Sequence, residues 1–197
     1  MEKNQGNGKK ILMIVGDFSE DYEVFCPHQI LLMAGFQVDS VCPGKKENEK
    51  IVTAVHDFEN HQTYLEKSGH NFTLNKDFDK VDVKDYVGLV VPGGRACEYL
   101  RLNQKVLDIC EYFLKNDLPL ASICHGIQIL VCCPSIKGRE VSCYFACNPE
   151  VKLAGGKLKE IGADEAIADK NLVTAVAWPG IYLWMQKFLA VLGVKFN

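Results

Sequence analysis

A thiol, an imidazole and a glycine stand side by side in this sequence, as Cys124, His125 and Gly126. Residues 118–123 before them are typical of a short buried strand, and the apolar run 127–133 after them is typical of a helix. A strand that turns directly into a helix pushes the side chain at its turn out over the end of the sheet. The N-terminus of the helix favours the thiolate, which is the nucleophilic form. We therefore interpret Cys124 as a nucleophile on a strand–helix elbow.

A buried structural cysteine is the alternative for Cys124, because free cysteine is among the residue types most often found in protein cores. The neighbouring residues favour the nucleophile, since a core cysteine needs neither an imidazole beside it nor a glycine behind it. A nucleophilic thiol also needs a base. All five histidines lie at or before position 125, so the base in this chain is His125 or one of the histidines upstream, namely His28, His56, His61 and His70.

Two carboxyl groups are candidates for supporting the thiol and its histidine. Glu20 follows the first apolar run, and its carboxyl reaches Cys124 if that strand neighbours the elbow strand; its pKa should then rise, so that it donates a hydrogen bond to the thiolate. A carboxylate that merely begins a helix is an equally good interpretation of Glu20. Glu98 is placed to orient His125, although a solvated loop charge is the simpler reading. The N–H groups of Gly94 and His125 are the predicted donors to the developing oxyanion.

Length and composition predict a single globular domain over residues 1–197. The chain has 197 residues, 48% hydrophobic content and a net charge of −3, which suit one domain with a full core. The near-neutral charge gives no electrostatic footprint for nucleic acid, and no run of about 18 apolar residues predicts a membrane span. Residues 1–10 are polar and lack the apolar core of a signal peptide. We therefore expect a cytoplasmic protein.

Nine cysteines are spread along the chain without paired spacing and without a C-x-x-C motif. This pattern does not support a zinc ribbon or a thioredoxin-type site, and in a reducing cytosol it predicts free thiols. Cys110, Cys132 and Cys133 fall in apolar helical runs and are expected in the core. Cys143 and Cys147 are near enough in sequence to meet in space, but we predict no metal site and no cofactor.

Strand-like and helix-like segments alternate along the chain, which predicts an α/β fold with a mostly parallel sheet and helices on both faces. The main strands are predicted at residues 9–15, 36–41, 87–91, 118–123 and 172–176. The main helices are predicted at residues 22–34, 104–115, 127–133 and 181–192. Asp21 or Ser19 is expected to cap the first helix. In such folds the site lies at the carboxyl ends of the strands, where three loops should converge: 16–21, 92–98 and the elbow at 124.

Residues 45–80 lack a helical period and are predicted to form a β-excursion over the edge of the sheet, with short strands at 52–55 and 62–64. The histidines of this region are expected at the surface or in turns rather than as ligands, because no H-x-x-x-H helix is available to them. The remaining short elements are predicted as strands at 141–145, 157–161 and 166–168, with a short helix at 150–154.

Four segments together resemble the DJ-1/PfpI superfamily over almost the full length of the chain. Three of them resemble the superfamily as a whole: Glu20-Asp21-Tyr22-Glu23, Val91-Pro92-Gly93-Gly94-Arg95-Ala96 with Glu98-Tyr99-Leu100, and Ala121-Ser122-Ile123-Cys124-His125-Gly126. The fourth resembles the plant branch that acts as a glutathione-independent glyoxalase: Val55-His56-Asp57-Phe58-Glu59 with His61-Gln62-Thr63-Tyr64.

The resemblance implies a flavodoxin-like, three-layer sandwich in which Cys124 is the nucleophile and Glu20 is its carboxyl partner. It implies His125 as the acid–base group. It also implies that Glu98 pairs with His125 across a subunit contact, so that activity requires a homo-oligomer.

Two positions depart from the pattern of the superfamily. Cys97 stands where proline is usual, which predicts a looser loop around Glu98. Ile181, followed by Tyr182, stands where many members carry histidine. This second change alters the rim of the pocket and with it the choice of substrate.

The function that the resemblance implies is a cysteine-dependent glyoxalase, a lyase of the D-lactate dehydratase type. It would convert methylglyoxal or glyoxal to a 2-hydroxy acid without glutathione, metal or cofactor. Cys124 adds to the aldehyde, and His125 or Glu20 moves a proton between the adjacent carbons. Protein deglycase activity would use the same thiol. The alternative is an oxidative-stress sensor or chaperone that uses oxidation of Cys124, and a PfpI-type cysteine peptidase ranks third.

Overall fold

Strands and helices alternate along residues 6–195, the part of the chain that this computed structural model describes. The strands are β1 (Lys10–Ile14), β2 (Gln37–Val41), β3 (Lys50–Asp57), β4 (Leu65–Thr73), β5 (Tyr86–Val91), β6 (Leu120–Ile123), β7 (Glu140–Val141), β8 (Lys157–Leu158), β9 (Ala166–Asp169) and β10 (Leu172–Ala175). The helices are α1 (Asp21–Met33), α2 (Cys97–Leu100), α3 (Gln104–Lys115), α4 (Ile127–Leu130), α5 (Asn148–Leu153) and α6 (Ile181–Val191). Within these residues no helix has the length and hydropathy that a bilayer crossing requires.

The central sheet has six strands in the order β2-β1-β5-β6-β10-β9. The first five are parallel, and β9 pairs antiparallel with β10. Helices α1 and α6 pack together on one face, while α3 packs on β5 and α4 on the other. Because both faces are covered, strands such as β6 are buried at every residue. The predicted mostly parallel, three-layer α/β architecture is confirmed.

Three loops meet at the carboxyl edge of the sheet, as the sequence predicts. They follow β1, β5 and β6, and β5 lies between the other two strands. The first strand is therefore not a neighbour of the elbow strand, so the condition under which Glu20 would reach Cys124 is not met. The crevice at this edge opens where the strand order reverses beside β1, which is where α/β sheets commonly bind ligands.

Helix α1 begins at a cap that the sequence analysis assigned wrongly. The cap is Glu20, whose Oε2 accepts a hydrogen bond of 2.8 Å from the backbone N–H of Glu23. Asp21 is unavailable because its carboxylate accepts from the Thr53 hydroxyl in β3. The Ser19 hydroxyl accepts from a backbone N–H of the preceding loop instead. A carboxylate at this position also favours the helix dipole.

Strands β3 and β4 form an antiparallel hairpin beside the central sheet. The predicted β-excursion is confirmed, but its second strand is β4 and not residues 62–64, because residues 58–64 form the turn between the strands. The hairpin is attached to α1 by Asp21, which accepts hydrogen bonds from Thr53 and from the backbone N–H of His70. This attachment holds the hairpin over the carboxyl edge of the sheet.

The segment after the elbow is less regular than predicted. A 3-10 turn covers Cys124–Gly126, and α4 ends at Leu130 rather than at 133. Cys132 is consequently exposed, whereas Cys110 and Cys133 are buried as expected. Strands β7 and β8 have two residues each, shorter than the predicted strands at 141–145 and 157–161. All nine cysteines are free thiols.

Phe113 is fully buried in α3, on the face of the sheet opposite α6. Replacing Phe113 by alanine should lower the free energy of unfolding by about 3–5 kcal/mol, because it removes a large apolar side chain and leaves a cavity. Urea denaturation measures this change. Leu153→Ala is the matched control; Leu153 is 88% exposed, so its loss should change stability by no more than about 0.5 kcal/mol. Equal losses in the two variants would contradict the assignment of the core.

Candidate active site

Cys124 occupies a strained turn at the end of β6. Its φ of +56° lies in the left-handed region that residues other than glycine rarely adopt. The extended conformation of Ile123 before it and the 3-10 turn after it give the strand–turn–helix geometry of a nucleophile elbow. The residue is 8% exposed. Strain of this kind persists where the surrounding structure enforces it and is concentrated at functional sites.

The carboxyl group beside the Cys124 thiol belongs to Glu23, not to Glu20 as predicted. Glu23 is fully buried one turn into α1 and interacts with the Cys124 thiol. Its Oε2 accepts a hydrogen bond of 2.8 Å from the backbone N–H of Gly93. Its Oε1 is buried and has no hydrogen-bond partner among residues 6–195. An unpaired carboxyl oxygen next to a thiol is a natural position for a proton.

Gly93 makes this contact possible because it has no side chain. A Cβ at this position would lie 2.5 Å from Glu23 Oε2 and 2.7 Å from Cys124 Cβ. The backbone after β5 therefore passes directly between α1 and the elbow. Glu23 meets the sulfur across this glycine, whereas Glu20 stops short at the cap of the helix.

Glu23 and Cys124 are coupled because both are buried. Burial, together with the charge of Glu20, raises the pKa of Glu23 well above its usual value. Burial also raises the pKa of the Cys124 thiol, and an ionised Glu23 would raise it further. A protonated Glu23 removes that repulsion and donates its O–H toward the sulfur, while the backbone N–H of His125 also donates to it. The pair therefore disfavours two negative charges, and a thiolate on Cys124 is stabilised when Glu23 keeps its proton.

His125 is a neutral imidazole in contact with the thiol. Its Nδ1 lies 3.2 Å from Cys124 Sγ, and its ring stacks on Tyr144 with centroids 4.6 Å apart. Burial, with a smaller contribution from the charge of His56, lowers the pKa of His125 to about 4. A neutral Nδ1 can accept the thiol proton. Glu98 is exposed, and no hydrogen bond links it to His125 within the described residues, so its pairing across a subunit contact remains a prediction.

The predicted oxyanion donors differ in how the structure places them. The His125 N–H lies at the sulfur, as expected for a group that stabilises negative charge there. Gly94 has a φ of +84° and is paired with Ser19 in an isolated antiparallel bridge. The glycine that touches the elbow is Gly93, whose N–H is already used by Glu23. The role of Gly94 as an oxyanion donor stays a prediction.

The thiol faces a cavity of about 30 Å³. Such a volume holds about two or three water molecules, at about 10–15 Å³ each. Its walls include Glu20, His56, Tyr64, Cys124, His125 and Tyr144. The cavity adjoins a cleft of about 530 Å³ that shares Glu20, His56 and Trp178 with it. Only the reacting end of a substrate fits beside the sulfur, and the remainder extends into the cleft.

The sequence analysis did not place three residues of this cavity in it: His56, named as one of several upstream bases, Tyr64, named within the resemblance to the plant branch, and Tyr144. His56 was expected at the surface or in a turn, but it is buried and lines the cavity. The alternation of buried residues in β3 shifts by one at Thr53 and Ala54, which are both buried, and this places His56 on the buried side; the pairing with β4 is irregular at the same place. The two tyrosines contact each other and His125 edge to face or stacked. Tyr64 lies in the segment that resembles the plant branch, and for Tyr144 aromatic character was the one available signal.

Glu20 lines the cavity although it does not hold the thiol. Burial raises its pKa to about 7, and the N–H of Glu23 that it accepts opposes the shift. Glu20 is therefore partly protonated at neutral pH.

The two departures from the family pattern also have defined places. Ile181 and Tyr182 line the cleft, so they shape its rim as expected. Cys97 is fully buried and its thiol donates to the Pro92 carbonyl at 3.4 Å, which anchors the start of α2 instead of loosening it. Within residues 6–195, no three His, Cys, Asp or Glu side chains are grouped to hold a metal ion.

The fold and the site define the class of this protein. It is a flavodoxin-like α/β sandwich whose sheet presents a cysteine on a strained elbow beside a buried carboxyl group. Residues 9–191 match the model of the DJ-1/PfpI family, and the chain belongs to that family. The family resemblance of the sequence is thereby confirmed.

Relatives are found in plants and archaea. Protein DJ-1 homolog D of Arabidopsis thaliana is 47% identical over 194 residues, which are 98% of this chain and 50% of that protein. DJ-1 protein homolog F of the same plant is 34% identical and is covered to 46%. The chain thus spans about half the length of these plant relatives. A protein named deglycase from Thermococcus kodakarensis is 32% identical, covering 93% of this chain and 99% of that protein.

A solved structure shows the same fold. DJ-1 of Schizosaccharomyces pombe has a TM-score of 0.75 with 18% identity, covering 94% of this chain and 93% of the other. At this identity the likeness concerns the fold alone.

The assignment of Glu23 predicts opposite outcomes for two conservative variants. Glu23→Gln should raise the pKa of the Cys124 thiol by about one unit, because an amide N–H is a weaker donor to sulfur than a carboxylic O–H. Glu20→Gln should leave this pKa unchanged or lower it, since it removes a neighbouring negative charge. The measurement is the pH dependence of Cys124 alkylation by iodoacetamide, located by peptide mass spectrometry. The reverse ranking would restore Glu20 as the thiol partner.

The raised pKa of Glu20 predicts a pH-dependent stability. Between its usual value of 4.5 and its value of about 7 in the folded protein, the folded state binds the extra proton. Stability therefore falls as pH rises through this window. Glu20→Gln should remove this loss. From pH 5 to pH 8 its free energy of unfolding should therefore rise by about 1–3 kcal/mol relative to that of the parent protein. Urea denaturation at both pH values tests it, with the exposed Glu160→Gln as control. If the parent protein and Glu20→Gln differ in free energy of unfolding by the same amount at pH 5 and pH 8, the pKa of Glu20 is not raised.

Proposed function

We propose that this protein converts small 2-oxoaldehydes, such as methylglyoxal and glyoxal, to 2-hydroxy acids with Cys124 as nucleophile and without glutathione, metal or cofactor. The observation that carries the proposal is the position of the Cys124 sulfur at a cavity of about 30 Å³, between a buried Glu23 and a neutral His125. Two archaeal relatives named deglycases, 32% and 31% identical, support an enzyme that acts on aldehydes or their adducts.

The first step is addition of the thiol to the aldehyde. His125 Nδ1, 3.2 Å from Sγ, takes the thiol proton. The sulfur forms a bond to the aldehyde carbon, and the carbonyl electron pair moves to oxygen. The His125 N–H, and by our proposal the Gly94 N–H, donate to this oxygen. Protonation of the oxygen by the imidazolium completes a hemithioacetal.

The second step moves a proton between adjacent carbons. A base in the cavity removes hydrogen from the carbon that carries sulfur, and the bonding pair forms an enediolate with the neighbouring carbonyl. Reprotonation of the second carbon leaves a thioester and a new hydroxyl group. Water then attacks the thioester, the C–S bond breaks, and the 2-hydroxy acid leaves with the Cys124 thiol restored. No net oxidation occurs, because the composition of the product equals that of the substrate plus one water molecule.

The size of the cavity favours a small substrate. Two or three heavy atoms occupy the space at the sulfur, which suits an aldehyde and its neighbouring carbon. A peptide bond with its flanking residues does not fit there without movement of the aromatic walls, so the peptidase is disfavoured. The adjoining cleft of about 530 Å³ leaves room for the amine or thiol part of an aldehyde adduct. Deglycase activity is therefore a compatible extension of the same chemistry.

A redox sensor is the second candidate, and one observation favours it. The protonated form of Glu23 that donates to a thiolate would also donate to a sulfinate on Cys124. Such a hydrogen bond stabilises the oxidised state. The sensor and the enzyme need the same sulfur, and turnover separates them.

Assembly and location are further parts of the proposal. We propose a cytoplasmic homo-oligomer in which Glu98 pairs with His125 across a subunit contact. The exposed position of Glu98 on α2, next to the loop after β5, supports this arrangement. Its pairing would orient the imidazole that now contacts Cys124 and Tyr144.

Methylglyoxal without glutathione is the direct test. The purified protein should form lactate, and Cys124→Ala should reduce the rate to the uncatalysed level. The matched control is Cys132→Ala, which removes an exposed thiol outside the cavity and should retain the parent rate. Lactate is measured by an enantiospecific dehydrogenase assay or by NMR. Absence of lactate above the Cys124→Ala level, together with stoichiometric oxidation of Cys124 by dilute peroxide, would favour the sensor.

A further inference from the structure

We propose that His56 is the base that moves the proton between the two substrate carbons, and that Glu66 and Arg95 hold its ring for this purpose. This inference rests on the proposed function and assigns a residue to its second step. The sequence analysis left His56 open as one of several distant bases, and its position in the folded chain now distinguishes it from the other upstream histidines.

His56 stands where any substrate on Cys124 must touch it. His56 follows the shift in the buried alternation of β3 at Thr53 and Ala54, and the residue is buried. Its ring lines both the cavity at the sulfur and the larger cleft, so it lies at their junction. A cavity that holds only about two or three water molecules brings an occupant close to its walls. By this proposal the two reacting carbons lie within reach of both the sulfur and this imidazole.

A chain of charged groups fixes the ring from behind. His56 Nε2 lies 3.2 Å from Glu66 Oε2. Glu66 in turn accepts from Arg95, whose Nε and Nη2 lie 3.0 and 2.6 Å from Oε1. The Arg95 guanidinium is centred 4.2 Å over the Phe18 ring, which holds it in place. Glu66 belongs to β4 and Arg95 to the loop after β5, so two separate elements converge on one imidazole.

This chain gives His56 the properties of a general base. The Arg95 hydrogen bond lowers the pKa of Glu66, so Glu66 is a carboxylate that accepts the Nε2–H of His56. The basic lone pair is then on Nδ1, which has no hydrogen-bond partner among the described residues. Burial lowers the pKa of His56 and keeps it neutral, while Glu66 stabilises the imidazolium that forms after proton transfer. The other charged groups around the ring are Asp57 and Arg95.

The two imidazoles of the cavity have different tasks. His125 Nδ1 is directed at Cys124 Sγ, and a pKa of about 4 makes His125 a weak base toward carbon. Within the described residues His56 makes no hydrogen bond to the sulfur. It pairs with Glu66, whereas His125 has no ionic partner there. Tyr64 contacts both rings edge to face, with centroids 4.9 Å from His56 and 5.7 Å from His125. By this proposal His125 accepts the thiol proton, and His56 moves the proton between the two substrate carbons.

The step conserves protons and electrons. Nδ1 of His56 takes the hydrogen of the carbon bonded to sulfur, and the C–H electron pair becomes the double bond of an enediolate whose charge rests on the second oxygen. The imidazolium returns a proton to the second carbon. The hydroxyl proton of the first carbon passes to the second oxygen, which leaves a thioester carbonyl and a hydroxyl group. No other reactant is consumed until water enters.

The test separates this step from thiol addition. His56→Gln keeps a side-chain N–H for Glu66 but has no basic nitrogen. With methylglyoxal, kcat should fall by about 100-fold or more, as for loss of a general base. Addition to Cys124 should persist, so that borohydride reduction traps the hemithioacetal on the Cys124 peptide for mass spectrometry. In deuterium oxide the parent protein should place deuterium on the second carbon of lactate, which NMR detects. The matched control is His61→Gln, an exposed histidine in the same hairpin.

The outcomes are distinct. If the parent protein makes no lactate, the proposed function fails before His56 is tested. If the parent makes lactate and His56→Gln keeps its kcat, or if His56→Gln loses addition to Cys124 as well, His56 is not the base. If Glu20→Gln traps the hemithioacetal and His56→Gln does not, the carboxyl group holds the role instead. Should His56→Gln fail to fold, Glu66→Gln replaces it: the same trapped adduct with a lower kcat supports the proposal, and parent-like turnover overturns it.

Discussion

Glu23 and Cys124 are buried against each other, and this contact constrains the surrounding chain. Two acids that lose water together disfavour ionising together, so the protonation of Glu23 sets the reactivity of the sulfur. The contact requires a bare backbone at Gly93, since a Cβ would overlap the Glu23 carboxyl. It also requires the left-handed turn at Cys124, which aims the sulfur back over the end of the sheet.

The hairpin of β3 and β4 supplies the other half of the site. The central sheet alone would leave Cys124 at an open edge, where water screens charge and competes with substrate. His56 and Tyr64 close that edge and confine the sulfur to a small volume. In an enclosed cavity hydrogen bonds and charges act more strongly than in bulk water, so the hairpin shapes the site through partial exclusion of solvent as well as through its side chains.

The sequence was sufficient for features that depend on local pattern. Apolar runs gave the five parallel strands, because a strand buried on both faces is apolar throughout. The elbow followed from one strand, one cysteine and one helix in immediate succession. The choice between Glu20 and Glu23 was not local, since it depends on β5 lying between β1 and β6. Glu20 was chosen because it follows the end of β1, but the carboxyl group beside the Cys124 thiol is that of Glu23.

Other errors have equally specific causes. His56 was misplaced because the alternation of buried residues in β3 shifts by one at Thr53 and Ala54. Cys132 was misplaced because α4 ends three residues earlier than its apolar run. The partner of Glu98 is a matter of assembly, which a single chain does not contain. Periodicity reports which faces are apolar, but small interruptions of regular structure decide where individual polar side chains point.

The way the hairpin is attached has a consequence for the stability of the site. Besides the contacts at Asp21 and Arg95, β3 makes hydrogen bonds to the loop after β1, from Val52 N–H to Asp17 and from Ala54 N–H to the Ser19 carbonyl. Local opening of these contacts would carry His56 away from the cavity while the parallel strands stay folded. Sub-global openings of this kind require less free energy than complete unfolding. The closed cavity therefore has its own opening equilibrium, and amide hydrogen exchange along β4 follows it separately from the core.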